Sequence, residues 1–214
     1  MSYKYILFDL DGTLTDPGEG ITNSVKYALQ KFGIEVGDKS ELNKFIGPPL
    51  WDSFEEYYGF TREQANQAVE YYREHFRDKG IFENKVYPGV GGLLETLSAE
   101  GKKLVLATSK PQVFAERILE HFGLKKYFVF IAGSELDGTR VDKGEAIQFA
   151  LAGIGVEKLS QAVMVGDRRH DILGAHKAGI KAIGVLAGYG GGGELLDAGA
   201  DYIVERVADI WEIC

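Results

Sequence analysis

Beyond residue 85 the chain alternates between two periodicities, and that alternation leaves few folds open. Four short apolar runs, at residues 103–107, 128–131, 162–165 and 182–185, are separated by stretches whose apolar residues recur every three or four positions. The helical stretches are carried by Val90, Leu93, Leu94 and Leu97, by Phe114, Ile118 and Leu119, by Ala146, Ile147, Ala150 and Leu151, and by Ile172, Ala175 and Ala178. Uninterrupted apolar runs suit strands buried on both faces, and intervening helices supply the cover, so the pattern predicts a parallel α/β core. One further run, Tyr5-Ile6-Leu7-Phe8, stands alone at the start. Between residues 16 and 85 there is no strand signal. Ile21, Val25, Ala28, Leu29 and Phe32 fall at helical spacing with Gly33 placed to end the helix, and Pro48 and Pro49 stiffen a loop. Thr61-Arg62-Glu63-Gln64 reads as a capping box that opens a helix carried by Ala65, Ala68, Val69, Tyr72 and Phe76. The expected organisation is a core of residues 1–15 and 86–214, with an all-helical block, 16–85, inserted after the first strand.

Composition narrows the function classes. With 214 residues, 45% of them hydrophobic, the chain can bury a core unaided. A formal net charge of −8, with no Lys/Arg run longer than two, argues against a nucleic-acid polymer as partner. No apolar run approaches a bilayer span and no basic, apolar leader precedes the first strand, so the expectation is a cytoplasmic protein without a membrane partner, a monomer or small homo-oligomer. Cys214, the one cysteine, leaves no internal disulfide to form, and His75, His121, His170 and His176 show no zinc-ligand spacing. Gly188 to Gly193 match G-x-G-x-x-G literally, yet follow a late strand and precede a short helix, so a flexible surface loop is expected there in place of a dinucleotide site.

The chemistry-bearing signal follows the first strand, where Asp9-Leu10-Asp11-Gly12 puts two carboxylates at the end of a buried run. Such a pair repels and is costly to desolvate unless a hard cation neutralises it; a solvated Asp-Gly turn is the other reading. The segment Asp9-Leu10-Asp11-Gly12-Thr13-Leu14-Thr15-Asp16 resembles the first motif of the haloacid dehalogenase-like superfamily. Three later segments resemble its remaining motifs in the same order: Leu106-Ala107-Thr108-Ser109-Lys110, Val141-Asp142-Lys143-Gly144-Glu145 and Gly166-Asp167-Arg168-Arg169-His170-Asp171.

The resemblance implies a Rossmann-like doubly wound parallel sheet with an inserted all-helical cap domain, residues 16–85. It further implies a Mg²⁺-dependent phosphomonoesterase acting on a small organic phosphate through an aspartyl phosphate on Asp9, with Asp11 as general acid and base. Asp9, the Asp11 carbonyl and Asp167 would hold the metal, and Asp171 would orient that shell. Thr108 and Lys143, with backbone N–H groups near Gly12 and Ser109, would hold the phosphoryl oxygens. Arg168 and Arg169 stand where small or hydroxyl residues are commoner in the family, and their role stays open between holding the acidic cluster and forming surface ion pairs. A dehalogenase is disfavoured because that branch lacks the second acid, while a phosphomutase and a non-catalytic phosphate-binding module stay open as alternatives. The substrate expectation rests on the helical block. Phe45, Ile46, Gly47 and Leu50, in a stretch with Lys44 as its nearby cation, suit the flat face of a 5′-nucleotide better than the second charge of phosphoglycolate.

Overall fold

The computed structural model describes residues 3–214 and divides into two compact units. One comprises the start of the chain to Thr15 together with Val86–Cys214; the other is Asp16–Lys85. Of the residues expected in the core, 1 and 2 lie outside those described. In chain order the elements are β1 (Tyr5–Phe8), β2 (Thr15–Asp16), α1 (Gly18–Lys31), α2 (Leu50–Tyr58), α3 (Arg62–His75), β3 (Lys85–Val86), α4 (Val90–Ala99), β4 (Lys103–Pro111), α5 (Gln112–His121), β5 (Phe128–Ser134), α6 (Lys143–Gly153), β6 (Ala162–Gly166), α7 (Arg169–Lys177), β7 (Lys181–Val185), α8 (Gly191–Asp197) and β8 (Tyr202–Val204). Among the described residues no helix is long and apolar enough to cross a membrane.

The α/β unit is built on a six-stranded sheet of order β5-β4-β1-β6-β7-β8, and all its neighbouring strands run parallel. Every residue of β1 is buried, as its run of four apolar side chains requires for a central strand covered on both faces. Tyr5 and Leu7 of β1 share one core cluster with Val105, Met164, Ile147, Ala150 and Ile172, which brings α6 and α7 onto that face. Alternation along the strand leaves Ile6 and Phe8 for the other face, where Phe8 meets Phe128 edge-on at 6.3 Å. β1 lies between β4 and β6, with Phe8 in register with both Leu106 and Val165, so the carboxyl ends of three strands stop side by side. Strand order reverses there, the place where an open parallel sheet offers a crevice.

The helical unit forms as its periodicity predicts. The Thr61 hydroxyl accepts from Gln64 N–H while the Gln64 side chain accepts from Thr61 N–H, which completes the capping box at the start of α3. Its interior is aromatic: Phe54 stacks on Phe60 at 5.8 Å, and Phe32 meets Phe60 at 4.7 Å.

Three features differ from expectation. β4 extends to Pro111, past the polar residues Thr108-Ser109-Lys110, and the edge strand β8, with three half-buried residues, carries no clear sequence signal. The glycine-rich stretch is also no flexible surface loop. α8 begins within it, and the backbone at Gly188 lies so close to Asp167 that a Cβ there would come within 2.3 Å of the Asp167 Cβ.

Candidate active site

Asp9 is the first residue past β1, and its N–H donates to Val165 O at 2.9 Å, so the register of β6 carries straight into the site. The chain then turns sharply. Leu14 and Thr15 N–H groups converge on Leu10 O at 2.9 and 3.0 Å, and Gly12 N–H donates to Thr15 O at 2.8 Å. Gly12 has φ +84°, and a Cβ on it would lie 2.2 Å from Asp167 Oδ2, so both backbone conformation and space require glycine. Next to it the Thr13 hydroxyl donates to Asp167 Oδ1 at 3.0 Å, while Tyr189 N–H donates to Asp167 Oδ2 at 2.8 Å. Asp167 is thus held from both sides, by the first turn and by the glycine-rich segment.

Lys143 opens α6, where the helix dipole disfavours a cation; Asp142 caps that end by accepting from Glu145 N–H at 3.1 Å. Two buried carboxylates outweigh the dipole. Lys143 Nζ lies 2.7 Å from Asp9 Oδ1 and 3.0 Å from Asp171 Oδ1, and donates to Ala107 O at 3.3 Å. Burial alone would pull the ammonium down, but Asp171 and Asp9 together hold it above the usual lysine range. Asp171 is fixed in turn by Arg168 N–H at 3.0 Å. Arg168 Nε and Arg169 N–H both donate to Glu194 Oε1, at 2.9 and 2.8 Å, which ties α8 to the start of α7.

The carboxylates define what the site can hold. Asp9, Asp167 and Asp171 are all buried, and one oxygen from each lies within 4.8 Å of the others. Burial first, then Asp171 and Asp9, push the Asp167 carboxyl up to about 8 against the hydrogen bonds from Tyr189 and Thr13. Burial likewise lifts Asp171 to about 6, in spite of Lys143. Burial also raises Asp11, assisted by Asp9 and opposed by Lys110. Fully ionised, the four carboxylates Asp9, Asp11, Asp167 and Asp171 outnumber the ammonium groups Lys110 and Lys143 by two, a deficit that one divalent cation cancels. All-oxygen donors of this charge fit a hard cation such as magnesium.

Thr108 is buried near the end of β4, and its hydroxyl oxygen accepts from Lys110 N–H at 3.3 Å; Ser109 O accepts from the Ser134 hydroxyl at 2.8 Å. The α/β unit therefore gathers Asp9, Asp11, Gly12, Thr108, Ser109, Lys143, Asp167 and Asp171 at adjoining strand ends. Phe45, Ile46, Gly47 and Leu50 belong to the helical unit. Phe45 and Ile46 are buried there, with the Phe45 ring 5.0 Å from Phe54 and 5.6 Å from Tyr57, whereas Gly47 and Leu50 are half-buried.

Sequence reasoning missed three supports: Thr13, the Gly188-Tyr189 backbone, and above all Lys110. The Lys110 side chain is 6% exposed and its Nζ lies 2.5 Å from Asp11 Oδ2. Continuing β4 through Thr108 is the signal that could have drawn attention to Lys110, although β4 shifts register on β5 between Ala107 and Pro111, so plain alternation does not fix the side it takes.

The family model for "Haloacid dehalogenase-like hydrolase" matches residues 6–185. A 5′-nucleotidase of Pseudomonas aeruginosa is 50% identical over 195 residues, covering 91% of this chain and 88% of its own length. Tyrosine-protein kinase PtkA of Mycobacterium tuberculosis is 37% identical over 214 residues, covering 99% of this chain and 72% of its own. The crystal structure of a predicted phosphatase from Clostridium acetobutylicum superposes with a TM-score of 0.97 at 52% identity, covering 100% of this chain and 98% of the other.

Proposed function

The chain belongs to the haloacid dehalogenase-like hydrolases and is a phosphatase, and from that premise we propose that it is a magnesium-dependent 5′-nucleotidase working through Asp9. The observation that carries the mechanism is the buried Asp9 carboxylate at the central strand end, ion-paired to Lys143 and facing Asp167 and Asp171. An Asp9 oxygen forms a bond to phosphorus as the bond from phosphorus to the ester oxygen breaks. Asp11 gives its proton to that leaving oxygen, which departs as the alcohol. Water then attacks the aspartyl phosphate, loses a proton to Asp11 and releases inorganic phosphate, so both carboxyls return to their starting state. Thr108, Lys143 and backbone N–H groups near Gly12 and Ser109 hold the phosphoryl oxygens, where charge spreads in the transition state. Magnesium, held by Asp9, the Asp11 carbonyl and Asp167, would neutralise phosphoryl charge, and Asp171 anchors Lys143 beside it.

Substrate class is supported by the 5′-nucleotidase relative and by the half-buried stretch from Gly47 to Trp51, whereas Phe45 and Ile46, expected to face the substrate, are each 1% exposed and serve the packing of the helical unit instead. Lys44, the cation nearest that stretch, sits 4.4 Å over the Tyr57 ring, which occupies it and leaves less for a second substrate charge. Two measurements test the proposal. Asp9→Asn keeps size and removes the nucleophile, so pure protein should fold and lose turnover; retained activity refutes the mechanism. In a panel of metabolite phosphates, nucleoside 5′-monophosphates should have the highest kcat/KM, and a clear preference for phosphoglycolate refutes the substrate while leaving the mechanism standing.

A further inference from the structure

Lys110 is mounted more rigidly than a surface lysine. It is the penultimate residue of β4, in a backbone pinned by its own N–H on Thr108 Oγ1 at 3.3 Å, by the Ser134 hydroxyl on Ser109 O at 2.8 Å, and by Pro111, whose ring fixes φ at the next position. From that mount its buried ammonium reaches Asp11 Oδ2 at 2.5 Å. The other oxygen, Asp11 Oδ1, is buried and has no hydrogen-bond partner among the described residues. The two lysines divide the acids between them, since Lys143 pairs with Asp9 and Asp171. A buried carboxylate clamped through one oxygen keeps a single orientation, with the second oxygen left for chemistry.

We propose that Lys110 is a positioning residue that clamps Asp11 through Oδ2, making Oδ1 the atom that hands a proton to the leaving oxygen and later takes one from water. This rests on the acid–base role given to Asp11 above. As the proton leaves Oδ1 for the ester oxygen, the carboxylate charge that develops is met at Oδ2 by the ammonium. Lys143 already serves the nucleophile, so the two cations have separate tasks.

Leaving-group dependence tests the assignment without knowledge of the natural substrate. A series of aryl phosphates from 4-nitrophenyl to phenyl to 4-methoxyphenyl spans leaving groups that need progressively more help from a proton. kcat/KM reports only the steps through formation of the phosphoenzyme. General acids contribute about 10²–10⁴-fold, so Lys110→Met should lower kcat/KM for phenyl phosphate about tenfold more than for 4-nitrophenyl phosphate. Lys110→Arg, which retains a cation, should bring that ratio back toward wild type. An equal loss on all three substrates would make Lys110 a phosphate binder or a structural residue, and overturns the proposal, as does an unchanged ratio. Melting curves accompany each variant; if Lys110→Met does not fold, the ratio measured with Lys110→Gln decides in the same way. Asp11→Asn in the same series separates the two claims. If it leaves the ratio intact, the acid–base role falls and this inference with it; if it lowers the ratio and Lys110→Met does not, this inference alone falls.

Discussion

Gly188→Ala probes a contact far in sequence from every acid in the site. The added Cβ would sit 2.3 Å from Asp167 Cβ, 2.4 Å from Oδ2 and 2.5 Å from Cγ, so no rotation of one flexible end relieves the overlap. Restoring ordinary contact distance requires a shift of about 1 Å, shared between the Asp167 side chain and the strap that carries Tyr189 N–H. Overpacking of this kind costs about 1–3 kcal/mol of stability. Displacing a support of a proposed metal ligand weakens ion affinity about 10–100-fold. The expected result is a lower melting temperature together with a magnesium requirement for phosphatase activity raised into that range. Gly193→Ala is the control within the same stretch: it lies in α8, and its Cβ would meet no described atom within 4 Å. It should stabilise the protein by about 0.5–1 kcal/mol, as alanine replaces glycine in a helix, with magnesium dependence unchanged. If the two variants behave alike in melting and magnesium titration, Asp167 is not braced by this segment and the packing argument fails.

Three further outcomes follow from the charges and packing described. Asp167 and Asp171 titrate in the folded protein near 8 and 6, above the carboxyl value of 3.8, so between those limits the metal-free fold binds more protons than the unfolded chain. Its stability should therefore fall as pH rises from about 4 to 8, and saturating magnesium should flatten that decline; a melting temperature that rises with pH in the metal-free protein contradicts this. Chelator should abolish activity and magnesium restore it, while calcium should raise the melting temperature without restoring turnover, because its larger, more flexible shell disturbs in-line geometry; full calcium-supported turnover counts against the proposed metal role. Phe45→Ala should cost about 3–5 kcal/mol, since the side chain is 1% exposed among Phe54, Tyr57 and Tyr58, whereas Leu50→Ala at a half-buried position should report on nucleotide selectivity with little unfolding; equal melting losses would refute the distinction.

Fold class was legible because β1 and the later strands are apolar without interruption, and apolar residues at helical spacing separate them. The acids at the end of β1 were conspicuous for the same physical reason: charge directly after a run that must be buried is expensive unless something neutralises it. Lys110 was hidden because Thr108-Ser109-Lys110 is polar and reads as loop, although β4 runs on through a register shift and pairs with β5 again at Pro111. The strap at Gly188 was misread for a different reason. Glycine accompanies both free movement and the closest backbone contact, and only the presence of Asp167 against it, 21 residues earlier in sequence, distinguishes the two. β8 is three residues long at the sheet edge, too short for periodicity to register.

The central place of β1 in the sheet makes its assembly a matter of waiting. Its partners begin at Lys103 and Ala162, and the N–H that steadies Asp167 belongs to Tyr189. At a synthesis rate of about 5–20 residues per second, roughly 10–30 s pass between the emergence of β1 and that of β6. For the first part of that interval the fully apolar segment has no neighbour at all; β4 and Lys110 then emerge, Lys143 follows, and the second flank stays open until β6 is made. Pairings this distant in sequence also slow refolding of the complete chain, because loop closure must precede any of the contacts that reward it. The nascent protein is consequently most exposed to misassociation before its first strand is enclosed, and Asp167 gains its partner Tyr189 N–H later still.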